Sequence, residues 1–513
     1  MDFGTGSERR RRARRLLVAV FLISVVVPLA RASAAPFDDP HVGGLTFNGP
    51  TSPTLAAVYW NPAALGLMRG SRVMIAGTAR VVRTSVDRTA IDPATGQPMA
   101  GAMAGGMATG SATANDVIQP ISWPLGPGGF AGISTDLGGD RFTLAFATYE
   151  PYAEKVNFDV SPTADEPTRY HRIGADLRNL ALVPALSIRF AGELRVGFAP
   201  GFLFSTGRLF FAEPIPGAAT GAENAAGDAR YNVDSGQGIG DAKFSLTLGG
   251  GLYYRTRSLE FGLSYSSRPF GGDIAGVEVA AQRTDVTRPG GAPVTCRPAG
   301  GSGSPSAGCV FGDINYRLPD TFIGGVTWHL RGGLELTGMV RWMRFHVMER
   351  MDVRLTGTTL RDAGLPEHIV LHQGFHDAWD TRLRLSYWLK ETLHIGAAFR
   401  VETSAVDAAD VSPAAVDGLK FEPILLAEVK LGRHILLGAG YGVTFMGAVN
   451  ADPSRFDPQA AAACRSSAPG QPPAGDLANP GCIARSEGLA RPTAAGTYHR
   501  FVQDFGLSMT ALF

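Results

Sequence analysis

Three histidines recur at every fourth residue: His368, His372 and His376. On a helix this spacing would place the three imidazoles on one face, where they could bind a transition metal. Pro366 and Gly374 disfavour a helix over this stretch, so we expect no metal site and no cofactor. No order of serine, histidine and acidic residues is typical of a nucleophilic triad. We therefore predict that the protein is not an enzyme.

Three arginines offer another kind of chemistry: Arg382, Arg384 and Arg400. They occupy the polar positions of segments in which polar and apolar residues alternate. A guanidinium in such a place could hold the carboxylate headgroup of a ligand through charge-assisted hydrogen bonds. Alternatively, interior charges of this kind pair with neighbouring acids. Both interpretations stay open.

The first 34 residues read as a secretory signal. An arginine-rich stretch precedes the apolar run 16–30, and Ala32-Ser33-Ala34 offers small residues for cleavage. Removal of residues 1–34 takes away seven arginines and two acids, which changes the net charge from +1 to −4. No basic patch remains to indicate nucleic-acid binding. No later apolar run is long enough for a membrane-spanning helix, which excludes a helical membrane protein.

The four cysteines form two pairs that are close in sequence, Cys296 with Cys309 and Cys464 with Cys482. In a secreted chain two local disulfides are expected, although proximity alone does not establish the connectivity.

Alternation of apolar with small or polar residues dominates the rest of the chain. In the segment 392–403, for example, Leu393, Ile395 and Phe399 alternate with His394 and Arg400. Such a period of two predicts strands. Fourteen are expected, at about 72–83, 129–137, 141–150, 178–190, 194–210, 241–255, 258–267, 318–330, 334–347, 379–389, 392–403, 421–431, 434–446 and 498–513.

The connections between these strands alternate strictly between six tight turns and seven long loops. Tight turns on one rim and long loops on the other are typical of a transmembrane β-barrel. We therefore predict an all-β chain, a transmembrane β-barrel of about 14 antiparallel strands in the outer membrane of a Gram-negative bacterium. Its apolar face would contact lipid and its small or polar face the lumen.

An apolar stretch with no strand pattern lies between the leader and the first strand. Phe47, Leu55, Tyr59 and Trp60 belong to it, and Asn61-Pro62-Ala63 marks a turn. The predicted division is a signal peptide at 1–34, an N-terminal hatch at 35–71 that plugs the lumen, and the barrel at 72–513. The turn would be either part of a ligand route or an anchor to the barrel wall. The apolar side chains would line a ligand cavity or pack the plug against the wall.

The run Val58–Gly66 resembles the Asn-Pro-Ala segment of the FadL-type outer-membrane transporters. Three later stretches are also similar to this family: 236–266, 318–325 and 377–399. The resemblance implies a fourteen-stranded barrel with an N-terminal hatch, and passive uptake of long-chain fatty acids or other hydrophobic compounds. It further implies a lateral exit for the ligand. The hatch is shorter here than in the best-known members.

The terminal Phe513 ends an alternating strand and resembles the signal by which the barrel-assembly machinery recognises outer-membrane proteins. Besides that machinery, the expected partners are a hydrophobic ligand and membrane lipid, and the expected state is a monomer. Two other functions stay open: a porin-like channel for small polar solutes, and an outer-membrane lipid-modifying enzyme. A wide charged lumen would favour the first. A serine, a histidine and an acid converging near the lipid face would favour the second.

Overall fold

The computed structural model describes residues 41–89, 110–118, 129–158, 167–213, 229–235, 243–270, 277–281, 283–287, 294–296, 311–356, 367–457, 483–484 and 486–513. The predicted signal peptide and Cys309, Cys464 and Cys482 lie outside these ranges. Cys296 ends a short strand.

Antiparallel strands account for most of the described chain. The barrel is built from β1 (Ser71–Arg88), β2 (Gly110–Ile118), β3 (Phe130–Thr135), β4 (Phe142–Asn157), β5 (Gly174–Ala191), β6 (Leu194–Glu213), β8 (Lys243–Arg255), β9 (Leu259–Ser266), β14 (Thr321–His329), β15 (Leu334–Met343), β18 (Ala378–Leu389), β19 (Leu393–Glu402), β20 (Lys420–Leu431), β21 (Ile435–Met446) and β23 (Gly496–Leu512). None of the helices in the described ranges is long and apolar enough to cross a bilayer.

The last strand closes the sheet onto the first. β1 pairs with β23 from Arg72↔Leu512 to Arg88↔Gly496. On its other side β1 pairs with β3 at its beginning and with β2 at its end, so β2 and β3 share one position in the wall. Counted in this way, the described strands form a closed barrel of fourteen positions, and the predicted fold class is confirmed.

The two faces of the wall have opposite character. On β20, Leu425 points outward and is 64% exposed, whereas the side chain of Glu422 points into the barrel and is 1% exposed. The same inversion holds on β1, where Val73 and Ile75 are exposed on the outside and Thr78 is buried inside. Since an outward apolar band suits hydrocarbon, this is the arrangement expected of a wall that faces lipid.

A second, four-stranded sheet is built from segments that connect barrel strands on the long-loop side. It comprises β10 (Val277–Ala281), β13 (Phe311–Tyr316), β16 (Arg350–Thr356) and β17 (His368–His372). The remaining short strands are β7 (Ala229–Asp234), β11 (Arg283–Thr287), β12 (Val294–Cys296) and β22 (Val449–Asn450). The sequence analysis treated these regions only as long loops, although β16 does show a short alternation at Met351, Val353 and Leu355.

Residues 41–70, here called the inner segment, lie inside the barrel. They contain a one-turn helix, α1 (Ala57–Trp60), followed by a 3₁₀ helix at Pro62–Leu67. Asn61 is extended between the two helices and its side chain accepts a hydrogen bond from the backbone N–H of Ala63. An asparagine cap followed by proline at the first helical position is a strong helix start, which explains the turn seen in the sequence.

Candidate functional site

Asn61 joins the inner segment to the barrel wall. Its Nδ2 donates to the carbonyl of Pro50 at 2.7 Å and to that of Leu252, on β8, at 3.0 Å. Its Oδ1 accepts from the N–H of Ala63 at 3.1 Å. Asn61 is completely buried, so all of these contacts replace water. The predicted anchoring role of the turn thus has a geometric basis, and its relation to a ligand route is considered below.

Wall side chains add further hydrogen bonds to the backbone of the inner segment. Ser187 Oγ donates to the carbonyl of Ala63 at 2.9 Å, and Ser264 Oγ to that of Trp60 at 2.6 Å. Arg195 Nε donates to the carbonyl of Gly66 at 3.1 Å. These bonds satisfy backbone groups that would otherwise be buried without partners.

The inner segment packs against glycines of the wall, which have no side chain to obstruct it. At each of these positions a Cβ would collide with, or press closely on, an atom of the segment. The glycines are Gly132, Gly197, Gly251, Gly262, Gly325, Gly396, Gly438, Gly440 and Gly506, here called the glycine belt. They lie on eight strands of the wall, since Gly438 and Gly440 are both on β21. At Gly197, Gly262, Gly440 and Gly506 the wall meets the backbone of the inner segment, and at the other five glycines it meets a side chain. The high glycine content of the sequence thus lets the inner segment approach the wall closely.

A cavity of about 40 Å³ lies beside α1, on the side of β4, β5 and β6. Val58, Tyr59 and Pro62 of the inner segment line it, with Tyr149 and Tyr152 opposite. The Tyr59 ring meets that of Tyr149 edge to face at a centroid distance of 5.5 Å. A cavity that binds benzene measures about 150 Å³, so an organic ligand would need some displacement of the lining residues.

A smaller cavity of about 10 Å³ lies on the opposite side of α1, between Trp60, Arg382 and Arg384. The guanidinium of Arg382 stacks over the Trp60 ring at 5.6 Å, and Trp60 Nε1 donates to the carbonyl of Val42 at 3.0 Å. Trp60 and Tyr59, adjacent in sequence, thus face different cavities.

Arg384 is buried and reaches the inner segment. Its Nη1 donates to the carbonyl of Asn48 at 3.1 Å and its Nη2 to Thr337 Oγ1 at 3.2 Å. The guanidinium also lies over the ring of Phe47, which stacks on His394 at 3.6 Å. Within the described part of the chain, no carboxylate forms an ion pair with Arg384. Because burial of an unpaired charge is costly, this arginine is suited to accept an anion.

Arg400 has a different environment. It forms ion pairs with Asp380 at 3.0 Å, with Glu422 at 2.9 Å and with Glu402. Lys420 continues the network from Glu402 at 3.1 Å. The three arginines predicted as headgroup cations therefore divide into Arg400, which is held by acids of the wall, and Arg382 and Arg384, which line the small cavity.

His41 was not predicted as a site residue. Its Nε2 lies 3.2 Å from Glu422 Oε1 and 3.5 Å from Asp504 Oδ2, and all three side chains are buried. A single histidine near a leader carries no motif, so the sequence offers no signal for it. The period of two does place Glu422 and Asp504 on the lumenal face of their strands.

Leu55 packs against the wall, and the histidines of the sequence motif lie away from the inner segment. Leu55 is buried and faces Gly132. His368 and His372 lie on β17 rather than on a helix, and each contacts its own acid, Asp352 at 2.8 Å and Asp410 at 3.1 Å. The three histidines thus do not form the helical face that would make them a metal site.

The fold is similar to that of several solved structures. A FadL homologue of Pseudomonas aeruginosa is 13% identical, with a TM-score of 0.66, over 94% of this chain and 100% of the other. The Pseudomonas putida toluene transporter TodX is 11% identical, with a TM-score of 0.55, over 94% and 99%. The Ralstonia pickettii toluene transporter TbuX is 12% identical, with a TM-score of 0.53, over 91% and 99%.

These likenesses establish the barrel fold. No curated protein sequence matches the chain significantly. A family profile described as outer membrane protein transport protein (OMPP1/FadL/TodX) matches residues 47–417, which include the inner segment from Phe47 onward and most of the barrel. The chain therefore belongs to the OMPP1/FadL/TodX family of outer-membrane transport proteins.

Proposed function

We propose that this protein lets hydrophobic small molecules diffuse across the outer membrane, with residues 35–71 acting as a hatch in the barrel formed by 72–513. The observation that carries the proposal is the inner segment, which crosses the bore and leaves an apolar and aromatic cavity beside α1. An open polar pore would need that space. Structural relatives are described as toluene transporters and as a monoaromatic hydrocarbon channel, which agrees with a hydrophobic ligand.

The route we propose runs past Tyr59, Tyr149 and Tyr152. Apolar burial would supply most of the affinity, at about 25 cal/mol per Å² of ligand surface removed from water. Since the cavity is smaller than a benzene site, some of its lining residues must move to admit a ligand. Pro62 of the Asn61-Pro62-Ala63 turn lines this space, so the turn would act both as an anchor and as part of the route.

We further propose that Arg384, with Arg382 beside it, accepts the anionic headgroup of an amphiphilic ligand such as a fatty acid. A buried guanidinium without a carboxylate partner and with an open Nε favours this role over that of Arg400. A neutral hydrocarbon would not use Arg384. The protein would act as a monomer in contact with outer-membrane lipid, after insertion by the barrel-assembly machinery.

The decisive experiment is mass spectrometry of compounds that co-purify with the protein, followed by uptake into proteoliposomes of a long-chain fatty acid and of toluene. We expect recovery of apolar compounds and uptake of at least one of the two ligands. Arg384→Gln should reduce fatty-acid uptake about tenfold or more and leave toluene uptake unchanged, because only the fatty acid carries a charge. Arg331→Gln, at an exposed turn, is the matched control.

Free conductance of small polar solutes in planar bilayers, together with no recovered apolar compound, would contradict the proposal and favour a porin. Equal loss of both ligands in Arg384→Gln would show that Arg384 supports the fold and not the headgroup.

A further inference from the structure

The inner segment begins, in the described chain, with an ion-pair cluster that the proposed transport route does not use. His41 Nε2 lies between two carboxylate oxygens, Glu422 Oε1 on β20 at 3.2 Å and Asp504 Oδ2 on β23 at 3.5 Å. The exposed fractions of these three side chains are 2%, 1% and 0%. The backbone of His41 has a φ of 47°, a region that residues other than glycine seldom occupy.

Arginines hold the other oxygen of each carboxylate. Arg400, on β19, donates from Nη1 to Glu422 Oε2 at 2.9 Å, and Arg80, on β1, donates from Nε to Asp504 Oδ1 at 2.6 Å. The two oxygens that face His41 are therefore the ones that these guanidinium groups leave open.

The charge of the His41 imidazole determines how strongly it is attracted to the two carboxylates. A neutral imidazole has one N–H, and in one of its tautomers Nε2 presents a lone pair to both carboxylates. An imidazolium carries an N–H at Nε2 and a positive charge that attracts both acids at once, in surroundings that water does not screen. A divalent metal is a poorer fit, since Arg80 and Arg400 already balance the two carboxylates and Arg382 also lies close to Glu422.

We infer that His41 is a proton-dependent latch, which fastens residues 41–48 to the wall while its imidazole is protonated and releases them when it is neutral. The charged groups that face it come from five strands: Glu422, Asp504, Arg80, Arg400 and Arg382. This inference goes beyond the proposed function and does not depend on which compound is carried.

The latch affects only the beginning of the inner segment. Residues 58–66 are held by Asn61, Ser187 and Ser264 through hydrogen bonds that do not titrate near neutral pH. Residues 45–48 have apolar and uncharged contacts with the wall, through Leu45 against Gly440 and Gly506, through the ring of Phe47 against His394, and through the bond from Arg384 to Asn48. Among residues 41–48, only His41 forms ion pairs with acids of the described wall. Loss of the His41 ion pairs should therefore loosen residues 41–48 first.

Hydrogen–deuterium exchange of the purified full-length protein tests this, with rates corrected for the intrinsic effect of pH. Peptides over 41–48 should be at least tenfold more protected at pH 5.5 than at pH 8.5, which corresponds to about 1.4 kcal/mol. Peptides over 58–66 should be equally protected at both values. His41→Gln should show weak protection of 41–48 at both pH values. His41→Lys keeps a positive charge and should show strong protection at both.

His368→Gln is the matched control, because His368 also pairs with an acid but has an exposed side chain and lies on the four-stranded sheet, not on the barrel wall. It should behave as the wild type does. Equal protection of 41–48 in the wild type at both pH values would overturn the inference, and so would a wild-type pH response in His41→Gln. The wild-type measurement stands alone if a variant fails to fold. A response that disappears on chelation with EDTA would show a metal site in place of a proton latch and would also overturn it.

Discussion

The side chain of Asn61 occupies the space that a Cβ on Gly251 would need. The inner segment supplies the Asn61 side chain, and the wall supplies the space for it, because Gly251 has no side chain. The carbonyl of Leu252, the next residue of β8, accepts the hydrogen bond from Asn61 Nδ2. The seat of the Asn61-Pro62-Ala63 turn therefore depends on a missing side chain as much as on a hydrogen bond.

Gly251→Ala should unseat this turn while leaving the barrel folded. The added methyl meets the side chain of Asn61 and the ring of Pro62. The Asn61 side chain cannot move away without losing its hydrogen bonds to Pro50, Leu252 and Ala63. Exchange of residues 58–66 should rise at least tenfold, measured by mass spectrometry. Gly338→Ala on β15 is the control, because no atom lies within 4 Å of a Cβ built there. Similar effects of the two changes would contradict the steric argument.

Asn61→Ala should have a related effect for a different reason. It leaves the carbonyls of Pro50 and Leu252 without their buried donor, at a cost of about 1–3 kcal/mol. Protection of residues 58–66 should fall by the corresponding factor. Asn450→Ala, at an exposed asparagine of β22, should change nothing. Unaltered exchange in Asn61→Ala would mean that packing alone seats the turn.

Leu425→Arg tests the lipid-facing surface. Leu425 is the most exposed apolar residue of β20 and lies in the middle of the strand, so the arginine would enter hydrocarbon. We expect the free energy of unfolding in lipid vesicles to fall by about 2–4 kcal/mol. Leu431→Arg, at the tight-turn end of the same strand, should cost about 0–1 kcal/mol. If the two substitutions lowered the free energy of unfolding equally, Leu425 would not lie nearer the middle of the bilayer than Leu431.

Asp417 should make stability depend on pH. It lies in the loop between β19 and β20, where burial raises its pKa to about 7, although Lys420 lies 3.1 Å away. Because the folded state then keeps the proton to a higher pH than the unfolded chain does, the free energy of unfolding should fall as pH rises from about 4 to 7. The slope should be on the order of 1 kcal/mol per pH unit.

Urea unfolding at several pH values measures this slope. Asp417→Asn should reduce it, and Asp407→Asn, at an exposed acid of the same loop, should preserve it. A slope in Asp417→Asn equal to that of the wild type would exclude Asp417 as its source.

The strands of the barrel were predictable because a wall between lipid and lumen imposes a period of two on every one of them. The second position of the wall was predicted only in part, at 129–137, since β2 and β3 divide it. The four-stranded sheet on the long-loop side was missed, because strands such as β17 contain five residues and show no pattern of their own.

The site was predictable only where a local motif exists. Asn61-Pro62 predicts a turn, and in the structure a 3₁₀ helix begins there, with Asn61 as its cap. Contacts between residues far apart in sequence carry no such signal, so His41 and its two acids were missed. The difference between Arg384 and Arg400 was also hidden, since it depends on which acids the neighbouring strands bring within reach.

The glycine belt also bears on the order of assembly. The inner segment precedes β1, yet it contacts strands as late as β23, the strand that completes the wall against β1. The contacts of the inner segment are therefore incomplete until β23 has been synthesised and has paired with β1. We expect the seam between β1 and β23 to close around an occupied bore, so that the first part of the chain and the last reach their native places together.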